Sequence, residues 1–133
     1  MSVEAAASPE ALYDLKEPRP RQAPSPGLVG GVDDLDRYGA HVPDLARRLA
    51  RAYWPGPLTL IVEASDAVPA AFRSAAGSIG LRMPDNDTAL ELIEAVGCPL
   101  ATTSANISGL QAPGAFDALD PALAACVGVV VPD

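Results

Sequence analysis

The sequence predicts a single α/β domain in which helices pack on a β-sheet. Strand-like and helix-like segments alternate along its 133 residues, a pattern typical of strands joined by helical connections. The composition agrees, since 49% hydrophobic and 20% charged residues are ordinary for one domain of this length. We therefore expect residues 1–133 to build one core rather than two.

The N-terminal segment combines a helix start with a proline-rich loop. Ser8 and Pro9 provide a capping hydroxyl followed by proline at the first helical position, which predicts a short helix to about Lys16. Residues 17–27 are rich in proline, which removes backbone donors and favours an irregular loop. A short strand is predicted at 28–31.

Two further helices are predicted before the first long strand. Asp33 and Asp34 can cap a brief helix that carries Leu35 and Tyr38. Pro43 then opens an amphipathic helix with an apolar stripe on one side and arginines on the other. The stripe consists of Leu45, Leu49 and Ala52, and the arginines are Arg47, Arg48 and Arg51. We expect this helix to present a basic side to solvent.

The middle of the chain continues the alternation. The β-branched run at 58–63 and the segment at 78–83 are predicted strands. Residues 84–87 can cap a helix, and Gly97 is well placed to end it. The apolar positions of that helix are Leu90, Ile93 and Val96. This segment shows the clearest start and stop signals in the chain.

The C-terminal third is expected to complete the sheet. Strands are predicted at 99–103 and 127–131, with a short helix at 116–119 between them. Cys98 and Cys126 lie far apart and have no His or Cys neighbours at ligand spacing, so neither a zinc site nor a disulfide framework is expected. Both cysteines are predicted to be small core residues, and no metal ligands are assigned.

Charge and motifs exclude several classes of function. The net charge of −8 opposes general attraction to nucleic acid, although seven of the nine basic residues fall between Lys16 and Arg51. The apolar runs are too short to span a bilayer, and the start does not resemble a secretory signal, so we expect a cytoplasmic protein without a membrane partner. Walker and Rossmann motifs are absent. His41 has no triad partners in a recognisable motif and is predicted to lie in a surface loop.

Two features could carry chemistry. Residues 102–109 place hydroxyl and amide side chains directly after a predicted buried strand, where they could contact a phosphate or simply bond their own backbone in an Asx-type turn. Arg82 lies on a strand with apolar neighbours and needs a partner, either a structural carboxylate or an anionic ligand. For each of these two features, the residues alone leave the two alternatives open.

Three segments, in this order, resemble the signatures of the YrdC-like family. They are Trp-Pro-Gly-Pro-Leu-Thr at 54–59, Ile-Gly-Leu-Arg-Met-Pro-Asp at 79–85, and Pro-Leu-Ala-Thr-Thr-Ser-Ala-Asn-Ile-Ser-Gly at 99–109. Before them, Lys-Glu-Pro-Arg-Pro at 16–20 is similar to the family's Lys-x-Arg-Pro phosphate-binding element, with Pro18 as an extra residue. The resemblance covers nearly the whole chain.

The resemblance implies both a fold and an activity. The fold would be the YrdC-like twisted mixed sheet with helices packed on it, here a partial domain that lacks the family's first hairpin and last strand. The activity would be L-threonylcarbamoyladenylate synthase, which forms threonylcarbamoyl-AMP and pyrophosphate from L-threonine, bicarbonate or CO₂, and ATP. ATP is thus a substrate, accompanied by Mg²⁺, and the product serves modification of tRNA position 37 through downstream threonylcarbamoyl-transfer proteins.

The resemblance also assigns roles to individual residues. The phosphate-binding and catalytic pair would be Lys16 and Arg19, further ATP contacts would come from Ser78, Ser104 and Asn106, and the threonine site would use Arg82 and Thr102. Two alternatives stay open. The chain could be a non-catalytic YrdC-like remnant that binds nucleotide, tRNA or double-stranded RNA through its basic segment, or a piece of the related unit in carbamoyltransferases of hydrogenase maturation.

Overall fold

A mixed five-stranded sheet organises the chain in the computed structural model, which describes residue 10, residues 26–106 and residues 111–132. The strands are β1 (Gly27–Leu28), β2 (Gly39–Ala40), β3 (Leu60–Ala64), β4 (Ser78–Arg82) and β5 (Leu100–Ala101). Their order in the sheet is β2-β3-β4-β1-β5. Only the β1–β4 pair is parallel, and the other three pairs are antiparallel. The predicted α/β architecture with a mixed sheet is confirmed.

Helices connect these strands. The α-helices are α1 (Asp34–Tyr38), α2 (Asp44–Tyr53), α3 (Asp87–Val96) and α4 (Pro121–Ala125), and short 3₁₀ turns occupy Ala70–Phe72 and Phe116–Ala118. Helices α1, α2 and α3 and the turn at 116–118 lie where the sequence predicts helix. The predicted helix start at Ser8 and Pro9, and the proline-rich loop up to residue 25, lie outside the described residues.

One face of the sheet carries the hydrophobic core. Along β3, Leu60 and Val62 are buried while Ile61 between them is 76% exposed, which is the alternation of a strand with one covered face. Ile79 and Leu81 of β4 are buried on the same side. The core is completed from the helices and connections by Leu35, Tyr38, Ala50, Val68 and Phe72.

The buried face of α2 differs from the predicted stripe. Leu45 is 59% exposed, and Ala52 is also exposed, whereas Ala50 is fully buried. Ala46 and Leu49 pack against the core beside it. The predicted stripe was therefore wrong, with only Leu49 contributing, and the covered face consists of Ala46, Leu49 and Ala50. A set of apolar residues at helical spacing does not show which of two neighbouring faces packs.

The basic side of α2 is partly neutralised by acidic neighbours. An Arg47 Nη2 atom lies 2.9 Å from Asp36 Oδ1, and its Nη1 lies 2.8 Å from Asp44 Oδ1. The hydrogen bond from Arg47 lowers the pKa of Asp36, and the same bond raises the pKa of Arg47. Arg48 and Arg51 are exposed. The helix is thus less basic at its surface than its composition indicates.

Helix α3 begins and ends at the residues that the sequence marks. The Asn86 side chain accepts a hydrogen bond of 2.7 Å from the backbone N–H of Ala89, and Gly97 ends the helix in the left-handed conformation at φ 75°. Ile93 is the buried apolar position, while Val96 is 42% exposed. Both predicted ends are confirmed.

Replacing Asn86 by alanine should lower the free energy of unfolding by about 1 kcal/mol, because the cap bond to Ala89 is lost. Urea unfolding followed by circular dichroism measures this change. Asp85→Ala is the control, since Asp85 is an exposed neighbour that does not provide the cap. Equal losses in the two variants would contradict the capping role.

Two expectations for the C-terminal third were wrong, and one strand is shorter than predicted. The strand predicted at 99–103 is present as β5, limited to Leu100–Ala101, whereas residues 127–131 form no strand, with Val129 79% exposed. Cys98 is buried as predicted, but Cys126 is exposed, and both are free thiols. A run of valines favours a strand only where a neighbouring strand satisfies its backbone, and the described sheet ends at β5. Helix α4 was missed although Asp120 and Pro121 form a cap and first turn.

Candidate functional site

The register of β3 and β4 defines an open face of the sheet, opposite the core. Ile61 pairs with Gly80 in this register, and directly opposed residues of paired strands share one face. Ser78, Gly80 and Arg82 alternate with the buried core residues of β4, and each of the three is half-buried. Ile61, Glu63, Ser78, Gly80 and Arg82 therefore lie on the open face of these two strands, with the exposed Glu63 directly opposite Ser78.

Strands β1 and β5 bring Thr102 to the same open face. Gly27 pairs with Leu81 on one side and with Ala101 on the other, so these three residues lie in one row that faces the core. Thr102 is the next residue along, and its backbone N–H and its hydroxyl both reach the carbonyl oxygen of Pro26, at 3.2 and 3.4 Å. With one strand between them, Thr102 is roughly 10 Å from β4 across the sheet.

Arg82 is held at the C-terminal end of β4 by a backbone carbonyl. Its Nε donates to Gly56 O at 2.9 Å, and Gly56 N–H donates to Met83 O at 2.9 Å. Within the described part of the chain, the ion pairs of arginines involve Arg47 and Arg73 but not Arg82. The sequence left two kinds of partner open for Arg82, a structural carboxylate or an anionic ligand. The described residues provide no structural carboxylate.

Ser78 belongs to a tight turn at the other end of β4. Its Oγ lies 2.7 Å from Ser74 Oγ, which also accepts hydrogen bonds from the N–H groups of Ser78 at 3.1 Å and Ala76 at 3.2 Å. Ser74 N–H donates to Ser78 O at 2.8 Å. The Ser78 hydroxyl therefore helps to shape the start of the strand, and a hydroxyl with one partner still has capacity for another.

The two ends of β4 are well separated. Ser78 and Arg82 are four residues apart on an extended strand, a separation of roughly 13 Å at about 3.3 Å per residue. A ligand that contacts both must therefore be extended along the strand.

A cleft of about 640 Å³ lies beside the end of β5. One wall is residues 101–105, which include Thr102 and Ser104, and the other consists mainly of apolar residues from the C-terminal segment. Its apolar lining includes Phe116, Leu119, Leu123, Val127, Val129, Val130 and Val131. Neither Ser78 nor Arg82 lines this cleft.

The structure thus divides the predicted site residues into two groups. Ser78 and Arg82 lie on the open face, Ser104 lines the cleft, and Thr102 takes part in both. Asn106 N–H donates to Ser104 O at 3.0 Å in the turn that follows β5, and Asn106 does not line the cleft. This bond joins backbone atoms, so both alternatives for the side chains of this segment stay open.

Other expectations fall outside the site or outside the described residues. Lys16 and Arg19, the predicted phosphate-binding pair, are not among the described residues, so their role stays a prediction. His41 is exposed in a turn at φ 48°, with Nδ1 3.2 Å from Glu63 Oε2, and its surface-loop placement is confirmed. Among the residues described, no group of three or more His, Cys, Asp or Glu side chains could hold a metal ion. The helices described include none long and apolar enough to cross a bilayer.

Sequence reasoning missed two residues that shape the open face. Gly56 lies in the Trp-Pro-Gly-Pro motif, which marks the loop as a family feature. The motif itself does not predict that Gly56 accepts a hydrogen bond from Arg82. Ser74 organises the turn before Ser78, and its only signal was a serine at a loop position. Both act through contacts that depend on the folded chain.

Comparison with known proteins identifies the family. The model of the Sua5/YciO/YrdC family, described as telomere recombination, matches residues 2–133. The chain belongs to this family. The expected family and its fold are therefore confirmed, and the open face described above is a feature of a Sua5/YciO/YrdC sheet.

Individual relatives agree with this assignment. The threonylcarbamoyl-AMP synthase of Pyrococcus abyssi is 35% identical over 105 residues, which cover 77% of this chain and 31% of that protein. A putative threonylcarbamoyl-AMP synthase of Mycobacterium tuberculosis strain H37Rv is 41% identical over 95 residues, covering 71% of this chain and 43% of the relative. The chain spans less than half the length of these two relatives.

Solved structures show the same fold. The crystal structure of P. abyssi Sua5 complexed with L-threonine superposes with a TM-score of 0.79 at 32% identity, over 86% of this chain and 33% of that one. The crystal structure of E. coli YciO gives a TM-score of 0.72 at 26% identity, over 82% and 52% of the two chains. This member of the Sua5/YciO/YrdC family therefore shares the sheet of proteins that include one solved with an amino acid bound.

Proposed function

We propose that this chain acts in the synthesis of L-threonylcarbamoyladenylate, from L-threonine, bicarbonate or CO₂, and ATP. The observation that carries the proposal is Arg82, a half-buried cation on the open face with no carboxylate partner among the described residues. A cation in such a position is stabilised by an anionic ligand, and a planar guanidinium matches a carboxylate. The names of the relatives and the L-threonine complex of P. abyssi Sua5 support this choice of ligand.

The proposed substrate contacts are divided between the open face, which carries Arg82, Ser78 and Thr102, and the segment after β5, which carries Ser104 and Asn106. Arg82 would bind the carboxylate of threonine, and Thr102 would contact the same amino acid. The nucleotide contacts would come from Ser78, Ser104 and Asn106, with Lys16 and Arg19 holding phosphates. The separation of Ser78 and Arg82 along β4 leaves room for an amino acid joined to a nucleotide.

The chemistry needs charge stabilisation more than covalent participation by the protein. A carbamate oxygen of N-carboxythreonine attacks the α-phosphorus of ATP, a new P–O bond forms, and the bond to pyrophosphate breaks. Cations and N–H donors around the phosphates stabilise the charge that develops in this step. Mg²⁺ would accompany ATP and neutralise part of the phosphate charge, and the described residues include no group of three or more His, Cys, Asp or Glu side chains that could hold it by themselves.

The proposed product would be used by other proteins in tRNA modification. Threonylcarbamoyl-AMP would supply modification of tRNA position 37 through downstream transfer proteins, and this work would take place in the cytoplasm. The alternative, a non-catalytic remnant that binds nucleotide, tRNA or double-stranded RNA, depends on the basic segment from Lys16 to Arg51. In the described part of this segment Arg47 is already paired with Asp36 and Asp44, which reduces the basic surface of α2 to Arg48 and Arg51.

Pyrophosphate release from ATP tests the proposal. We expect release that requires both L-threonine and bicarbonate, and reactions that lack either one are the controls. Folded protein that releases no pyrophosphate under these conditions would remove the enzyme as an explanation for this chain. Double-stranded RNA binding that weakens steeply with salt would then support the alternative.

A further inference from the structure

We infer that Gly56 positions Arg82 to bind a carboxylate through its two terminal amino groups, an inference that rests on the proposed function. The Trp54 loop, defined as residues 54–58, lies against the C-terminal end of β4. Both polar backbone groups of Gly56 bond to that end, the N–H to Met83 O and the carbonyl to Arg82 Nε, each at 2.9 Å. Gly56 thus links the loop to the backbone and the side chain of one strand end.

The loop itself is anchored on the other side. Trp54 is only 7% exposed and belongs to the core. Its backbone N–H donates to Ala50 O at 2.9 Å, and its indole N–H donates to Leu58 O at 2.8 Å. Helix α2, the Trp54 loop and β4 are therefore connected by hydrogen bonds through buried residues. A side chain fixed to this loop is held in a defined direction.

The bond to Gly56 restricts how the guanidinium of Arg82 can bind. A guanidinium can pair with a carboxylate side-on, through Nε and one terminal nitrogen, or end-on, through both terminal nitrogens. Because Nε already donates to Gly56 O, the side-on arrangement is closed. The end-on arrangement remains and gives the carboxylate one approach direction. Gly56 is therefore a positioning residue that acts through Arg82.

The position requires glycine. Gly56 is buried, and a Cβ atom there would lie 2.5 Å from the carbonyl oxygen of Tyr53, closer than real contacts allow. Alanine would force the loop to move and would shift the carbonyl that holds Arg82. Gly31 is a matched control, because a Cβ atom there meets nothing within 4 Å.

A double-mutant cycle tests the inference with L-threonine and L-threonine amide as the two probes, the amide having no carboxylate. By calorimetry, Gly56→Ala should weaken binding of L-threonine by about tenfold, because Arg82 no longer aligns with the carboxylate, and leave binding of the amide and of ATP unchanged. In an Arg82→Ala background, Gly56→Ala should cause no further loss. Gly31→Ala should behave as the wild type. Equal losses for both probes, or equal losses in both backgrounds, would overturn the inference.

A measurement without ligand separates this inference from the proposed function. Trp54 is the only tryptophan in the sequence, so its fluorescence reports on the loop. Arg82→Ala and Arg82→Met should both make Trp54 more accessible to quenching by acrylamide, because neither side chain has a donor for Gly56 O. Unchanged quenching in both variants would refute the link even if Gly56→Ala fails to fold. If quenching increases in the Arg82 variants but the wild type binds threonine and its amide equally, the hydrogen bond between Arg82 and Gly56 is supported and the proposed function is refuted.

Discussion

Replacing Arg82 by alanine is expected to weaken binding of L-threonine by roughly 10- to 100-fold, since hydrogen bonds to charged groups contribute about 1.5–3 kcal/mol. The loss should be confined to ligands with a carboxylate, because that is the group the Arg82 guanidinium would bind in the proposed site. Isothermal titration calorimetry with the wild type and the variant measures the effect. Pyrophosphate release should fall in parallel at subsaturating threonine.

Arg73 provides a matched control for this substitution. It is also a half-buried arginine whose Nε donates to a backbone carbonyl, that of Val68 at 2.8 Å. It follows the 3₁₀ turn in the connection between β3 and β4, and a carboxylate of Asp66 lies 3.8 Å from its Nη2. Arg73→Ala should therefore leave threonine affinity unchanged. Equal losses in the two variants would show that Arg82 acts on stability alone and would contradict a ligand contact.

The largest effect on stability is expected from Phe72→Ala. Phe72 is 2% exposed in the core and lies in the 3₁₀ turn Ala70–Phe72 between β3 and β4. Truncating a buried phenylalanine costs about 3–5 kcal/mol, and whole domains of this kind have only about 5–15 kcal/mol of stability. We expect a much lower urea midpoint, with part of the population unfolded without denaturant.

Phe116→Ala is the control for the same chemical change at an exposed site. Phe116 is 46% exposed and lines the cleft beside β5, so its removal should change the midpoint little. Chemical denaturation of the two variants side by side separates burial from residue type. Similar midpoints for the two variants would mean that the connection between β3 and β4 is not part of the core.

Local signals in the sequence predicted some elements well. Asn86 and Gly97 mark the ends of α3 because a cap and a left-handed terminus depend on the residue itself and its immediate neighbours. The alternation of β3 is equally local, since apolar side chains at every second position define one covered face. The motifs at 54–59, 79–85 and 99–109 are also local, and they were sufficient to predict the family.

Other features depended on contacts that no local pattern contains. The buried face of α2 was wrongly predicted because Leu45 and Ala50 are both apolar, and only packing shows that Ala50 meets the core. The valines at 127–131 have strand propensity but no strand partner among the described residues. Strand propensity becomes a strand only where a neighbour completes its hydrogen bonds.

The candidate site shows the same division. The sequence by itself determined the fold class, the ends of α3, and the choice of Arg82 and Thr102 as residues of interest. Only the tertiary structure decided that these two share the open face, that Ser104 lines a separate cleft, and that Gly56 holds Arg82. The physical reason is that strand register and a hydrogen bond between residues 26 positions apart arise when the sheet assembles, so they depend on the whole fold rather than on neighbouring residues.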